Sequence, residues 1–222
     1  MELDIGDEVL IFDAGSGIRG LGIELLKGGP RAVHLFVTHT HWDHIQGFPF
    51  FTPAYLPGYD ITIYGGYGFG KDLQSIFQGQ LDSAYFPVQM DDMQADLRFV
   101  TLDTSPVAIG PCEVTYQETR HPGTTLAYKA RVRGTTLCWM PDNEFLEGNT
   151  GPIEDVPADN PELETERALV NFLRGADVVV AEAQYTAEEY PAKIGWGHTS
   201  VPNGCALARL AGIRNWIVTH HD

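Results

Sequence analysis

Short apolar blocks, bounded by glycine, proline or acidic turns, recur along this chain more often than long helical stripes. Glu8-Val9-Leu10-Ile11-Phe12-Asp13 is one such block. It runs into Ala14-Gly15-Ser16-Gly17, which predicts a buried strand breaking into a glycine turn. Ile18 to Leu26 has helical spacing and stops at Gly28-Gly29-Pro30. Ala32–Val37 and Ile61–Tyr64 read as further strands, and Lys71–Phe77 as a helix. A short helical turn or loop is expected at Asp91–Asp96. Five strand-like runs follow, at Leu97–Leu102, Val107–Ile109, Glu113–Glu118, Thr125–Val132 and Thr135–Met140. Asn143 to Pro161 reads as an acidic loop with turns at Gly151-Pro152 and Val156-Pro157. The rest predicts a helix at Glu162–Leu173, a strand at Ala176–Glu182, a helix at Ala206–Ala211 and a strand at Asn215–Thr219. No repeat or linker interrupts this order, so one α/β domain over 1–222 is expected, with two sheets covered outside by helices.

Charge narrows the partners. The 222 residues carry 14 Lys plus Arg against 30 Asp plus Glu, a formal net charge of −16. Proteins that track a long phosphate backbone need clustered bases, because affinity comes largely from counterion release. Here the tightest group, Lys129, Arg131 and Arg133, alternates as the solvent face of one strand would. Extended nucleic acid is therefore disfavoured, while a small anion is not. No run approaches the about 18 apolar residues of a membrane span, so no membrane partner is expected. The acidic start lacks the apolar region of a signal peptide, and the three cysteines form no C-x-x-C pair. A cytoplasmic, reducing location follows as the expectation.

The strongest chemical signal is His39-x-His41-x-Asp43-His44, placed directly after a buried strand. Imidazole and carboxylate suit zinc and other borderline divalent ions. A tight loop would turn His39 and His41 to one side, and Asp43 and His44 to the other, a geometry for two ions. His34 lies inside an apolar strand and reads as a satisfied core residue. His121, Asp142 and His220 each follow a strand end, where loops gather into sites on a rigid scaffold.

The order H-x-H-x-D-H, then His, then Asp, then a C-terminal His resembles the metallo-β-lactamase superfamily over nearly the whole chain. That resemblance implies an αβ/βα four-layer sandwich of two mixed β-sheets flanked by helices. It also implies two divalent ions, zinc first and manganese second. His39, His41 and His121 would hold one ion, and Asp43, His44 and His220 the other, with Asp142 bridging them.

Fold alone does not choose a chemistry. Asp142 stands where the best-known zinc β-lactamases carry cysteine, and Cys138 occupies the wrong strand position. A bridging carboxylate fits hydrolases of phosphodiesters and thioesters. Glu182 in Ala181-Glu182-Ala183-Gln184-Tyr185 and His198 in Gly197-His198-Thr199-Ser200 resemble the paired elements of tRNA 3′-processing endonucleases and their small-molecule relatives. Such a pair protonates a departing alkoxide and fixes the histidine tautomer, whereas glyoxalase II-type thioesterases expel a thiolate without that help. The catalytic group is thus expected to be Asp43, Glu182 and His198, beside a water activated between two ions.

The tRNA enzymes grip their substrate with a basic, Gly-Pro-rich arm that has no counterpart in this sequence. With the −16 charge, this favours a small phosphodiester, first of all a 3′,5′-cyclic nucleotide, over a tRNA precursor. Gly47-Phe48-Pro49-Phe50-Phe51 and Ala84-Tyr85-Phe86-Pro87 resemble segments of cyclic-nucleotide hydrolases, some of them phage proteins that destroy cyclic pyrimidine signals. The aromatic and proline excess in Phe48–Pro57, hard to bury in one sheet, together with the resemblance predicts a homodimer. Relatives begin with a β-hairpin ahead of the Glu8–Asp13 strand and continue past the last histidine. Both are expected to be missing here, as in a piece of a longer protein.

Overall fold

A computed structural model describes residues 1–67, 70–103, 105–152 and 161–220. The chain divides into two compact units, Met1–Thr104 and Ser105–Asp222.

The first unit is built on a five-stranded sheet in the order β1-β2-β3-β4-β5. Its strands are β1 (Glu2–Asp4), β2 (Glu8–Phe12), β3 (Ala32–Phe36), β4 (Asp60–Gly65) and β5 (Asp96–Thr101). β1 pairs antiparallel with β2, and all later pairs are parallel. Parallel neighbours need crossovers, which here carry α1 (Ile18–Leu25), the short α2 (Trp42–Ile45) and α3 (Leu73–Gln80). Asp72 starts α3, its carboxylate accepting from the Ser75 amide at 2.8 Å. Val9, Ile11, Val33, Leu35, Ile61 and Ile63 supply strand faces to a core completed by Phe48, Phe51 and Phe77. Each such phenylalanine contributes about 1.5–3 kcal/mol through burial.

The second unit carries a six-stranded sheet in the order β11-β10-β9-β8-β7-β6. The strands are β6 (Val107–Ile109), β7 (Cys112–Glu118), β8 (Leu126–Val132), β9 (Thr135–Met140), β10 (Val178–Glu182) and β11 (Trp216–Thr219). β6 to β9 form an antiparallel meander, whereas β9, β10 and β11 run parallel. The crossovers are α4 (Pro161–Leu173) and α5 (Val201–Ala211). Leu169, Leu173, Ala206 and Leu207 from these helices pack with Cys138, Val179 and Ala181. Ser200 caps α5 through the Asn203 amide, and Pro202 sits in the first turn, where a missing N–H costs nothing.

Several expectations change. A short strand, β1, precedes the Glu8–Phe12 strand and pairs with it through Glu2 and Ile11, and Asp4 and Val9. Its short polar sequence carried no strand signal. Asp91–Asp96 holds the short helical turn expected there, a 3-10 turn at Met90–Asp92, and a loop that reaches β5 at Asp96. α5 begins five residues ahead of the expected Ala206, since the Ser200 cap and Pro202 initiate a helix where turn composition had suggested a loop. Phe48, Phe51 and Ala54 are fully buried in their own unit, so this segment is mostly core and lends little support to a dimer. Phe50 alone among its phenylalanines is exposed, and it meets Phe86 edge to face at 5.5 Å. The start of the supposed acidic loop is also core, with Asn143, Glu144 and Phe145 all buried. Its Val156-Pro157 turn lies outside the described residues. His34 is half-buried and only partly satisfied, with Nδ1 3.3 Å from Tyr64 Oη, while Nε2, 3.5 Å from Glu8, makes no hydrogen bond. Among the described residues no helix is long and apolar enough to cross a membrane.

Candidate functional site

In parallel α/β sheets, ligand sites form beyond the carboxyl ends of the strands. Every predicted site residue but one lies there, or in the loop that follows. Asp13 follows β2, and the segment Thr38–His44 follows β3. In the second unit Asp142 follows β9, Glu182 ends β10 and His220 follows β11. The exception is His121, in the turn between the antiparallel strands β7 and β8.

The first unit organises its histidines around Asp13. This carboxylate accepts from the Thr38 amide at 2.8 Å and from the Thr38 hydroxyl at 2.9 and 3.0 Å. It also accepts from His44 Nδ1 at 3.1 Å. The hydroxyl has one proton, already directed at Asp13, so Thr38 Oγ1 accepts from His39 Nδ1 at 3.2 Å. Both bonds place the ring proton on Nδ1 and leave Nε2 as the lone-pair nitrogen of His39 and of His44. His39 Nε2 comes within 2.9 Å of His41 Nδ1, and His44 Nε2 within 3.1 Å of Asp43 Oδ2. The His39 ring also lies 4.2 Å from that of His44, so it stands between its two neighbours and does not side with His41 alone. Asp43 is mostly exposed, while His39 and His44 are buried.

Backbone approach explains the tightness of this loop. Gly47 donates its amide to the Ala14 carbonyl at 2.8 Å, and Ala14 donates to the His44 carbonyl at 2.7 Å. A Cβ on Gly47 would overlap the Gly15 carbonyl, so only glycine lets the helix after the motif close onto the turn after β2. Asp13 itself holds a left-handed φ of 62°, uncommon outside glycine and typical of strained functional positions.

The second unit gathers His121, Asp142, Glu182, His198 and His220. Asp142 is 2% exposed and presents its two oxygens to different rings. Oδ2 lies 3.6 Å from His121 Nε2 and 4.0 Å from His198 Nδ1, while Oδ1 lies 3.8 Å from His220 Nε2. His121 donates from Nδ1 to the Gly197 carbonyl at 2.8 Å, which leaves Nε2 as its lone-pair nitrogen. His198 donates from Nδ1 to Glu182 Oε1 at 3.1 Å, which fixes the orientation of its ring. The His198 ring stacks on His220 at 5.1 Å and meets His121 edge-on at 4.9 Å.

Glu182 is fully committed. Oε1 accepts from the Asn143 amide at 2.7 Å and Oε2 from the Thr199 amide at 3.0 Å. Burial raises its pKa well above the carboxylate range, and the neighbouring Asp142 adds to that; the two amides and His220 oppose it. The geometry fixes the ring facing it, because the two amides hold Glu182 in place and Oε1 accepts from His198 Nδ1.

The donor set fits divalent metal. Imidazole nitrogens with their lone pairs fixed by neighbours, alternating with carboxylates, are the ligands of zinc and related ions. His39 and His41 in one unit, and Asp142 among three histidines in the other, have that character. Sequence reasoning missed Asp13 and Glu144 as supports. An acidic residue closing an apolar strand was the only hint of the first. His221 lies outside the described residues.

Residues 9–221 match the model of the β-lactamase superfamily domain. The chain belongs to this family, and as a member of it is a metal-dependent hydrolase. Ribonuclease Z of Lacticaseibacillus casei (strain BL23) is 25% identical over 250 aligned positions, covering 98% of this chain and 76% of the relative. Among solved structures, the metallo-β-lactamase fold protein YhfI from Bacillus subtilis has a TM-score of 0.68 at 20% identity, over 99% of this chain and 77% of that one. The short form of human tRNase Z has a TM-score of 0.67 at 20% identity, over 99% and 84% respectively. Two mixed sheets flanked by helices thus form the metallo-β-lactamase fold.

Proposed function

We propose that this protein is a two-metal phosphodiesterase acting on a small phosphodiester, first of all a 3′,5′-cyclic nucleotide. The observation that carries the reading is Asp142, whose two oxygens face different histidines, with the Glu182–His198 pair in the same unit. A carboxylate arranged in this way suits a bridge between two ions. In this reading His39, His41 and His121 hold one ion, Asp43, His44 and His220 the other, and zinc is the metal, with manganese as the substitute. Bound ions would supply charge for the phosphoryl oxygens and acidify a water between them.

The chain's own residues do the rest. Asp13 and Gly197 fix the tautomers of His44 and His121, so their Nε2 atoms need no reorganisation on binding. Asp43 orients the nucleophile. Glu182 holds His198 by Nδ1 and stabilises its protonated form, from which Nε2–H protonates the leaving alkoxide.

The second reading is a tRNA 3′-processing endonuclease, favoured by the relatives named Ribonuclease Z. Against it stand the −16 charge and the absence of a basic cluster in the sequence. The alignment with the L. casei protein spans 250 positions against 222 residues, so that relative carries internal segments absent from this chain. The deciding experiment is metal analysis followed by turnover of a panel. It contains cyclic mononucleotides, a 3′-extended tRNA precursor, bis-p-nitrophenyl phosphate and an S-acylglutathione. Cleavage of a cyclic nucleotide with two bound ions supports the first reading. Faster cleavage of the tRNA precursor replaces it with the second, and turnover of the thioester alone overturns both.

A further inference from the structure

Glu144 is a carboxylate in the second unit with 1% exposure and no part in the ligand or acid assignments above. Its side chain accepts at both oxygens. Oε1 takes the Tyr190 hydroxyl at 2.8 Å and the Gly195 amide at 2.9 Å, and Oε2 takes the Gly197 amide at 2.8 Å. Its backbone amide donates to the Arg120 carbonyl at 2.7 Å, one residue before His121. Gly197 is the hub. Its amide is held by Glu144, its carbonyl accepts from His121 Nδ1 at 2.8 Å, and His198 follows it directly. The fit excludes any side chain there, since φ is +87° and a Cβ would overlap His121 Nδ1 and Pro122 Cδ. Two buried carboxylates therefore tie down one loop. Glu182 holds its His198–Thr199 end, and Glu144 holds Gly195 and Gly197.

We propose that Glu144 is a positioning residue that, through Gly197, sets the His121 tautomer for metal binding and holds the loop from which His198 works. A buried carboxylate accepting three hydrogen bonds is expensive to strip of partners, so the loop has one favourable position. A carbonyl fixed in place can accept only from Nδ1–H, and this keeps the Nε2 lone pair of His121 ready for an ion. The inference rests on the two-metal reading for its consequence, but not for its geometry.

The test compares wild type with Glu144→Gln and Tyr190→Phe. The Gln side chain has one acceptor oxygen, and the orientation that keeps two of the three bonds, to Tyr190 and Gly195, turns its NH2 group on the Gly197 amide, so its grip on Gly197 fails. Tyr190→Phe removes a single donor and keeps both glycine bonds. Histidine tautomers are read in the metal-free proteins by long-range 15N–1H NMR, zinc affinity by chelator competition and folding by circular dichroism. Wild type and Tyr190→Phe should hold His121 as the Nδ1–H tautomer. Glu144→Gln should mix the tautomers and bind zinc roughly 10- to 100-fold more weakly. If folded Glu144→Gln keeps the pure Nδ1–H tautomer, or Tyr190→Phe loses it equally, the proposal is overturned. Should wild type bind no zinc, the two-metal reading fails while the tautomer measurement still decides the role of Glu144.

Discussion

Asp13 Oδ2 accepts from His44 Nδ1 at 3.1 Å, across 31 residues of sequence. The same carboxylate reaches His39 indirectly, through the Thr38 hydroxyl. One residue at the end of β2 thereby sets the working nitrogen of two histidines on the next strand's loop.

Asp13→Ala should therefore loosen metal without touching a ligand. The Thr38 amide and hydroxyl and the His44 Nδ1–H would lose a buried acceptor, which costs about 1–3 kcal/mol per group left unsatisfied. Zinc affinity should fall roughly 10- to 100-fold, as for other partners of ligating imidazoles. Asp13→Asn keeps one acceptor oxygen and tolerates the left-handed φ of 62°, so it should retain more affinity than the alanine variant. Chelator competition and thermal melting on both variants measure this. Equal zinc affinity in wild type and Asp13→Ala would remove Asp13 from the site.

The cysteines give a check on the second unit that is independent of metal. Cys112 and Cys138 are buried and Cys205 is exposed. Burial pushes the Cys138 thiol up to about 12. Iodoacetamide at pH 8 should label Cys205 alone in the native protein and all three cysteines after denaturation. Stability should also fall as pH rises from about 9 to about 12. The unfolded thiol ionises near the lower value while the folded one stays protonated, so the unfolded state binds fewer protons across that window. Cys138→Ala should flatten this part of the profile. Rapid labelling of Cys138 in folded protein would contradict its placement inside β9.

The strands most legible in the sequence were those whose patterning is local. β6 and β9 match their expected bounds, because short apolar runs between turn residues need no knowledge of partners. The ligand candidates were legible for a related reason, since polar ligand types directly after apolar strands stand out against their surroundings. Asp13 and Glu144 did not stand out. Each is a lone acid whose meaning lies in backbone amides and rings distant in sequence, such as Gly197 for Glu144. β1 was illegible because a three-residue polar strand is made by pairing with β2, and propensity alone does not mark it.

Removing proposed ligands should separate metal loss from unfolding. Asp43 is mostly exposed and supports no core packing, so Asp43→Ala should melt within about 0.5 kcal/mol of the metal-free wild type. His121→Ala gives up a buried ring and the bond to Gly197, and should cost more stability, about 1–3 kcal/mol. Both variants should lose bound metal and activity. Plasma emission spectroscopy on dialysed protein gives the stoichiometry. Full activity with two equivalents of metal in either variant would refute the ligand assignment.

His198 decides the chemistry. Its Nδ1 is 3.1 Å from Glu182 Oε1, and its ring stacks on His220 at 5.1 Å. It also lies within 4.0 Å of Asp142, which makes it a rival to His220 as a ligand. The contact with Asp142 uses Nδ1, the nitrogen already given to Glu182, and this argues for acid over ligand. As a general acid, His198→Ala should keep both ions and lose about 10²–10⁴-fold in kcat, with KM little changed. The loss should depend on the ester. A nucleoside 3′-oxygen is a poor leaving group and needs the proton, whereas p-nitrophenolate departs largely without it. The variant should therefore lose far more activity on a cyclic nucleotide than on bis-p-nitrophenyl phosphate. Equal loss on both esters would mean that His198 binds phosphate or shapes the loop. Loss of metal in the variant would make His198 a ligand and displace His220 from that role.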